Sequence, residues 1–170
     1  MIICKTPFRV SFFGGGTDLP DWLENNHGQV ISTSINKYGY ILLRESDNVS
    51  KYMYSVRYYL NEKANSIDKI RHPVVRECLS YFKVKSKTLH ITYDGDLPSR
   101  SGLGSSSSFS VGLINAIFKL KRDKLSKKQL AKTAINFEHN VLKETVGYQD
   151  QIATSYGGFN HIYFQNEDFK

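Results

Sequence analysis

The stretch best suited to chemistry is Leu97-Pro98-Ser99-Arg100-Ser101-Gly102-Leu103-Gly104-Ser105-Ser106-Ser107-Ser108. Its glycines let the backbone turn where side chains would clash. Its serines stand where a helix start exposes unpaired N–H groups and carries partial positive charge. Such a start is a ready site for a phosphate. Serine hydroxyls there can also ligate a hard cation such as Mg²⁺, which keeps oxygen ligands. It is not a Walker A loop, because no Gly-Lys-Ser/Thr follows the glycines. A plain Gly/Ser linker is the alternative, and it fits badly between two strongly apolar elements.

Three carboxylates and an arginine stand out beside it. At about 100° per residue, Glu138 falls inside the apolar face of a helix, between Ala134 and Leu142. A carboxylate there needs a partner or a cation. It is either a core salt bridge or a metal or active-site group. Asp150 lies in the polar loop Thr145-Val146-Gly147-Tyr148-Gln149-Asp150-Gln151 and is either a helix cap for Gln151 to Ser155 or a general base. Asp18 follows Gly14-Gly15-Gly16-Thr17, a loop in which backbone must pass close to something. Thr17 or Asp18 can simply cap a short helix through Pro20, Trp22 and Leu23. Arg9 sits in a strand of mostly apolar neighbours, where facing solvent is its plain reading.

The elements that must position these groups are legible in outline. Ile2 to Phe13 reads as a strand, with Pro7 marking an edge or a bulge. Val30 to Ile35 and Tyr38 to Arg44 read as two strands joined tightly at Asn36-Lys37. Lys51 to Leu60 alternates Tyr52, Tyr54, Val56 and Tyr58, which fits a sheet face better than a base-stacking platform. Ser66 to Lys83 looks helical, with Pro73 as an alternative start. Thr88 to Tyr93 alternates as a strand into the Gly/Ser stretch. Phe109 to Leu120 is apolar nearly all round, so the serines before it are anchored to a buried helix. Ser126-Lys127-Lys128-Gln129 is a capping box that opens the helix bearing Glu138. Gly157-Gly158 leads into a last strand, Phe159 to Phe164.

The chain has 170 residues, enough for one domain with a real core. A formal charge of +7 suits an anionic ligand, and equally nucleic acid or a membrane surface. The basic run from Lys119 to Lys132 reads as a solvated turn between helices rather than a nucleic-acid patch. Cys4 and Cys78 lack metal-ligand spacing, and the expected compartment is a reducing cytoplasm. No apolar run of about 18 residues is present, and no signal pattern opens the chain, so no membrane partner is expected.

Three segments together resemble the GHMP kinases, a family that includes galactokinase, homoserine kinase, mevalonate kinase and phosphomevalonate kinase. Pro7-Phe8-Arg9-Val10-Ser11-Phe12-Phe13-Gly14-Gly15-Gly16-Thr17-Asp18 is similar to their first motif. Gly102-Leu103-Gly104-Ser105-Ser106 is similar to their phosphate loop, and Glu138 followed by Gly147-Tyr148-Gln149-Asp150-Gln151 to the segment with the metal-binding glutamate and catalytic aspartate. Gly-Gly-Gly-Thr-Asp-Leu-Pro, the Glu138 to Gln151 segment and Tyr156-Gly157-Gly158-Phe159-Asn160 look most like the D-glycero-D-manno-heptose 7-phosphate kinases. Fucokinase-like enzymes share the first of these. Galactokinases carry Glu-His where this chain has Gly15-Gly16, which argues against galactose.

The resemblance implies an α+β fold, a two-layer α/β sandwich of the ribosomal protein S5 domain 2-like type. It implies ATP and Mg²⁺ as cofactors, a small-molecule sugar phosphate as substrate, and no nucleic-acid partner. Ser99, Arg100, Ser101, Gly102, Leu103, Gly104, Ser105, Ser106 and Ser107 would hold the nucleotide. Ser106 and Glu138 would ligate Mg²⁺, and Asp150 would act as base with Arg9 beside it. Gly15, Gly16, Thr17 and Asp18 would meet the sugar. Family members run to about twice this length, with a second α/β domain closing the site. The expectation is thus an N-terminal domain over residues 1–170, whose face towards the missing half is apolar and exposed, predicting dimerisation or poor solubility. An inactive nucleotide- or RNA-binding remnant is the reading from another class, motivated by the charge and the tyrosine run.

Overall fold

Alternation along β1 (Ile2–Phe13) sets the inner face of the sheet, with Cys4, Thr6 and Phe8 buried and Ile3 and Lys5 exposed. The computed structural model describes residues 1–46, 51–85, 88–98, 101–165 and 168–170. After β1 come α1 (Pro20–Leu23), β2 (Gly28–Glu45), β3 (Tyr54–Arg57), β4 (Asn61–Ala64) and α2 (Pro73–Tyr81). Then follow β5 (Leu89–Gly95), α3 (Ser105–Leu120), α4 (Lys127–Asn136), α5 (Gln149–Tyr156), β6 (Phe159–Gln165) and β7 (Asp168–Phe169). Among the described residues these strands form one seven-stranded sheet in the order β4-β3-β5-β2-β6-β7, with β1 on the other side of β2.

β2 is the spine, and it corrects the expected pair of strands. Its second half, Gly39 to Glu45, pairs with β5, while its first half, Gly28 to Thr33, pairs with β6. β1 runs antiparallel along both halves. The irregularity at Asn36-Lys37 is a register shift opposite Phe8, between the pairs Pro7↔Tyr38 and Arg9↔Ser34. The strand bulges instead of reversing, because each half finds its own neighbour on one edge. Pro7 sits at that bulge, as a proline without an N–H to donate should.

Other boundaries also move. The expected helix from Ser66 is a single 3₁₀ turn at Ile67–Lys69, and α2 begins at Pro73, where the missing N–H costs nothing. Only Tyr54–Arg57 of the tyrosine run is strand, and β4, which no apolar alternation announces, pairs with it as a hairpin. The capping box at Ser126 is present, with Ser126 and Gln129 bonded reciprocally.

The helices cover the inner face. α3 lies against β1 and β2 and is buried nearly all round through Val111, Leu113, Ile114, Ala116 and Ile117. Its first turn is tied to the sheet, because the Thr6 hydroxyl donates to the Ser108 carbonyl at 3.0 Å. The main core runs from Ile41, Leu43, Leu89 and Ile91 to Leu79, Ile114 and Phe137. A second cluster, around Val30, Ile152, Ile162 and Phe164, seats α5. The first cluster includes α3 and α4 and the second Ala131 and Ile135 of α4, and α3 also packs on α5, so the starts of α3 and α5 are held by packed elements. Among the described residues no helix is long and apolar enough to cross a membrane.

Candidate active site at the start of α3

Helix α3 begins four residues earlier than the apolar run, at Ser105, so the serines occupy its first turn rather than a preceding loop. Gly104 is the N-cap with φ +74°, and Gly102 has the same φ, a region where glycine alone is unstrained. Ser105 and Ser106 face a cleft of about 640 Å³, lined also by Tyr58, His72, Tyr93 and Phe109. Ser107 and Ser108 are buried. Ser99 and Arg100 of the expected nucleotide contacts lie outside the described residues, and Ser101 and Gly102 are exposed.

Arg9 and Asp150, 141 positions apart, meet at this helix start. Arg9 Nε donates to Asp150 Oδ1 at 2.7 Å and Nη2 to Oδ2 at 2.8 Å, a fork that fixes both oxygens. Arg9 Nη1 donates to the Gly102 carbonyl at 2.8 Å, and the Arg9 amide to the Leu103 carbonyl at 3.0 Å. Arg9 is therefore turned into the site and not towards solvent. A Cβ on Gly104 would stand 3.2 Å from Arg9 Cγ and 3.6 Å from Asp150 Oδ2, which shows how near the carboxylate comes to the helix N-terminus. Asp150 stays a quarter exposed. It is the second residue of α5 rather than its cap.

Asp18 caps α5 from a distance. Its Oδ2 accepts the Gln149 amide at 3.0 Å, and its Oδ1 accepts the Gly16 amide at 3.0 Å and Gln149 Nε2 at 3.3 Å. The Asp18 carbonyl accepts the Tyr148 amide at 3.2 Å. The expected local cap of α1 is not formed, since Leu19 takes that place without a side-chain bond. Gly147 is required here, because a Cβ would lie 2.0 Å from Asp18 Oδ2. The glycine loop is thus fastened to the helix carrying Asp150. Thr17 closes that loop, its hydroxyl donating to the Gly14 carbonyl at 2.8 Å, and Gly15 lies against Gln149.

Glu138 lies on the inner side of α3 and is 1% exposed. The helix passes through one π turn at Phe137–Val141, which turns both Glu138 and half of His139 inward. Glu138 Oε2 accepts from the Ser107 hydroxyl at 3.1 Å and from Gln151 Nε2. Its Oε1 is buried without a protein partner. Burial pushes the carboxyl up to about 7, against the lowering pull of the Gln151 amide and of the nearby Ser110 and Ser107 hydroxyls. The serine next to Glu138 is thus Ser107, while Ser106 faces the cleft. A buried carboxylate oxygen without a donor, flanked by hydroxyls, is a hard-oxygen environment suited to Mg²⁺. Gln151 is a site residue that its sequence context did not single out, since an amide carries no periodicity or charge signal.

The sheet with helices on one face, the glycine-capped α3 and the α5 carboxylate define the ribosomal protein S5 domain 2-like class of α+β domain. Residues 69–158 match the family described as GHMP kinases N terminal domain. The chain belongs to the GHMP kinase family. It is 33% identical over 174 residues to the D-glycero-alpha-D-manno-heptose 7-phosphate kinase of Campylobacter jejuni, covering 95% of this chain and 50% of that enzyme. It is 26% identical to the galactokinase of Chloroflexus aggregans, covering 94% of this chain and 42% of the relative. Its structure is similar to that of a D-glycero-D-manno-heptose 1-phosphate kinase from Bacteriodes thetaiotaomicron, with TM-score 0.87 at 25% identity, covering 100% of this chain and 58% of the other. The chain spans about half the length of the curated relatives it matches.

Proposed function

We propose that residues 1–170 form the ATP-binding domain of a cytoplasmic, MgATP-dependent sugar kinase acting on the anomeric hydroxyl of D-glycero-D-manno-heptose 7-phosphate. A C-terminal domain supplies the rest of its site. The observation that carries the reading is the convergence of Arg9, Asp150 and the Gly102–Ser107 turn on one helix N-terminus, with Glu138 behind it. The sugar assignment is supported by the first and last motifs and by the 33% identity to the heptose enzyme.

Phosphoryl transfer depends on positioning and charge neutralisation. The free N–H groups at the start of α3 receive the ATP phosphates, and the adjoining aromatic cleft is large enough for the nucleoside. Glu138 and a serine of the same turn, Ser106 or Ser107, would hold Mg²⁺. That cation would supply charge neutralisation for the transferring phosphates. Asp150 takes the proton of the attacking hydroxyl, and Arg9 holds both of its oxygens in place while stabilising developing charge. Gly15, Gly16, Thr17 and Asp18 shape the sugar side. The exposed Phe12, Phe13 and Phe159 beside that loop form the face for the second domain or for a second copy of this chain.

Calorimetry of MgATP binding to this chain, with Ser106→Ala alongside, tests the nucleotide site. An acceptor panel for the full-length protein, read by ADP release, tests the sugar. Turnover on heptose 7-phosphate above fucose and galactose is expected, and a preference for either unphosphorylated sugar removes the heptose assignment.

A further inference from the structure

Glu62 is a carboxylate that the chemistry above does not use, yet it is only 9% exposed. It lies on β4, in the polar strand Asn61–Ala64, opposite Val56 of β3. Its Oε2 accepts the Arg71 amide at 2.6 Å and its Oε1 the His72 amide at 3.1 Å. Two consecutive backbone donors thus end on one carboxylate just before α2 starts at Pro73. The Tyr58 phenol lies near enough to feel Glu62: burial first, and the Glu62 charge second, raise its pKa.

What Glu62 fixes is the wall of the cleft. His72 is the N-cap of α2, its Nδ1 accepting the Val75 amide at 3.4 Å. Its ring stacks on Phe109 with centroids 4.9 Å apart at 19°, and meets Tyr58 edge-on at 4.7 Å and 88°. Tyr93 then meets Phe109 edge-on at 4.9 Å. All four rings line the cleft whose far end is Ser105 and Ser106. Offset and edge-on contacts of this kind are specific in geometry but weak in energy. The two rings on the hairpin side, Tyr58 and His72, need an anchor outside the cleft, and Glu62 holds the backbone of His72, whose ring meets Tyr58.

We propose that Glu62 is a positioning residue for nucleotide recognition: by clamping the Arg71 and His72 amides beside Tyr58, it holds the aromatic wall in the shape that receives the base of ATP. This rests on the nucleotide reading above. A carboxylate suits the task because it offers two acceptors to two parallel donors, whereas a glutamine would turn an NH₂ group towards one of the amides. Glu62 touches neither the phosphate turn nor Asp150, so its effect is confined to the base.

The test compares MgATP with magnesium tripolyphosphate, which lacks base and sugar, binding to wild type and to Glu62→Gln. The expected result is about a tenfold loss for MgATP with tripolyphosphate unchanged, the size of one charge-assisted hydrogen bond. Equal MgATP affinity in the two proteins overturns the inference. So does an equal loss for both ligands, which would make Glu62 a support of the fold alone. A wild-type protein that binds neither ligand overturns the nucleotide reading itself, an outcome distinct from the other two. Tyr58→Phe, which keeps the ring and removes the phenol, guards against a Glu62→Gln that fails to fold. It should lower MgATP affinity less, again without touching tripolyphosphate, and an unchanged MgATP affinity there counts against the clamp.

Discussion

Helix α5 separates two carboxylate environments of opposite character. On its outer side Asp150 and Asp18 have a donor for each oxygen: Arg9 forks onto Asp150, and Gly16 and Gln149 serve Asp18. On its inner side Glu138 is more deeply buried than Asp150, yet keeps Oε1 without a partner and is held near neutrality by desolvation. The paired side is complete as folded, which suits the proposed role of orienting a substrate hydroxyl. The Glu138 side is incomplete, and on the proposed reading a divalent cation would supply what it lacks. On the proposed reading, one side would determine where the acceptor goes. The other makes the fold sensitive to protonation of Glu138 and, on the proposed reading, to metal.

The largest expected effect breaks the paired side. In the full-length protein Asp150→Ala should lower kcat on the best sugar by about 10²–10⁴-fold, the usual range for removing a general base. Normal turnover would show that the Arg9–Asp150 fork only braces the loop. The next effect is on the unpaired side. The Glu138 carboxyl titrates at about 7 folded against its ordinary 4.5, so the folded state holds a proton that the unfolded state has released between those values. Stability from this group is therefore full below pH 4.5 and lost as pH rises to 7. The gap corresponds to about 3 kcal/mol. Glu138→Gln should raise the melting temperature at pH 8, flatten the decline with pH, and remove any stabilisation by added MgATP. A melting temperature that falls instead would mean that Glu138 is already satisfied.

This contrast was only half legible in the sequence. Glu138 announced itself, because a charge in phase with Leu130, Ala134 and Leu142 is anomalous on any helix. Its neighbour was less clear: shifting the helix start from Phe109 to Ser105 changes which serine points inward, and the π turn at Phe137–Val141 breaks the 100° spacing. Arg9 and Asp18 looked like a surface residue and a local cap, since their partners lie 141 and 131 positions away. Only the resemblance to a family tied them to a site. The fold read similarly. Alternation marks β5 and strand-like runs mark β1 and β6, but β2 reads as two strands because a bulge and a tight turn share the same polar residues. β4 and Glu62 escaped notice because a hairpin edge of Asn-Glu-Lys-Ala has no apolar rhythm.

A smaller effect sharpens the boundary between the two environments. Gly147→Ala places a methyl 2.0 Å from Asp18 Oδ2, which must push either the glycine loop or α5 aside. The expected cost is about 1–3 kcal/mol in thermal unfolding. Turnover should fall with it, because Asp150 is carried on the displaced helix. A stable variant with reduced kcat would separate these two consequences.

The smallest effect distinguishes the serines. Ser107→Ala removes the 3.1 Å bond to Glu138 and should cost about 1 kcal/mol. Because that bond lowers the Glu138 pKa, its loss should also move the pH decline in stability upward. Ser106 is exposed and turned to the cleft, so Ser106→Ala should leave stability within about 0.5 kcal/mol while weakening MgATP binding. The pair thus assigns the metal-side hydroxyl. A drop in MgATP affinity confined to Ser106→Ala puts the cation in the cleft, bridging to Glu138 from outside. A drop confined to Ser107→Ala puts it on the buried side, where Oε1 has no other donor.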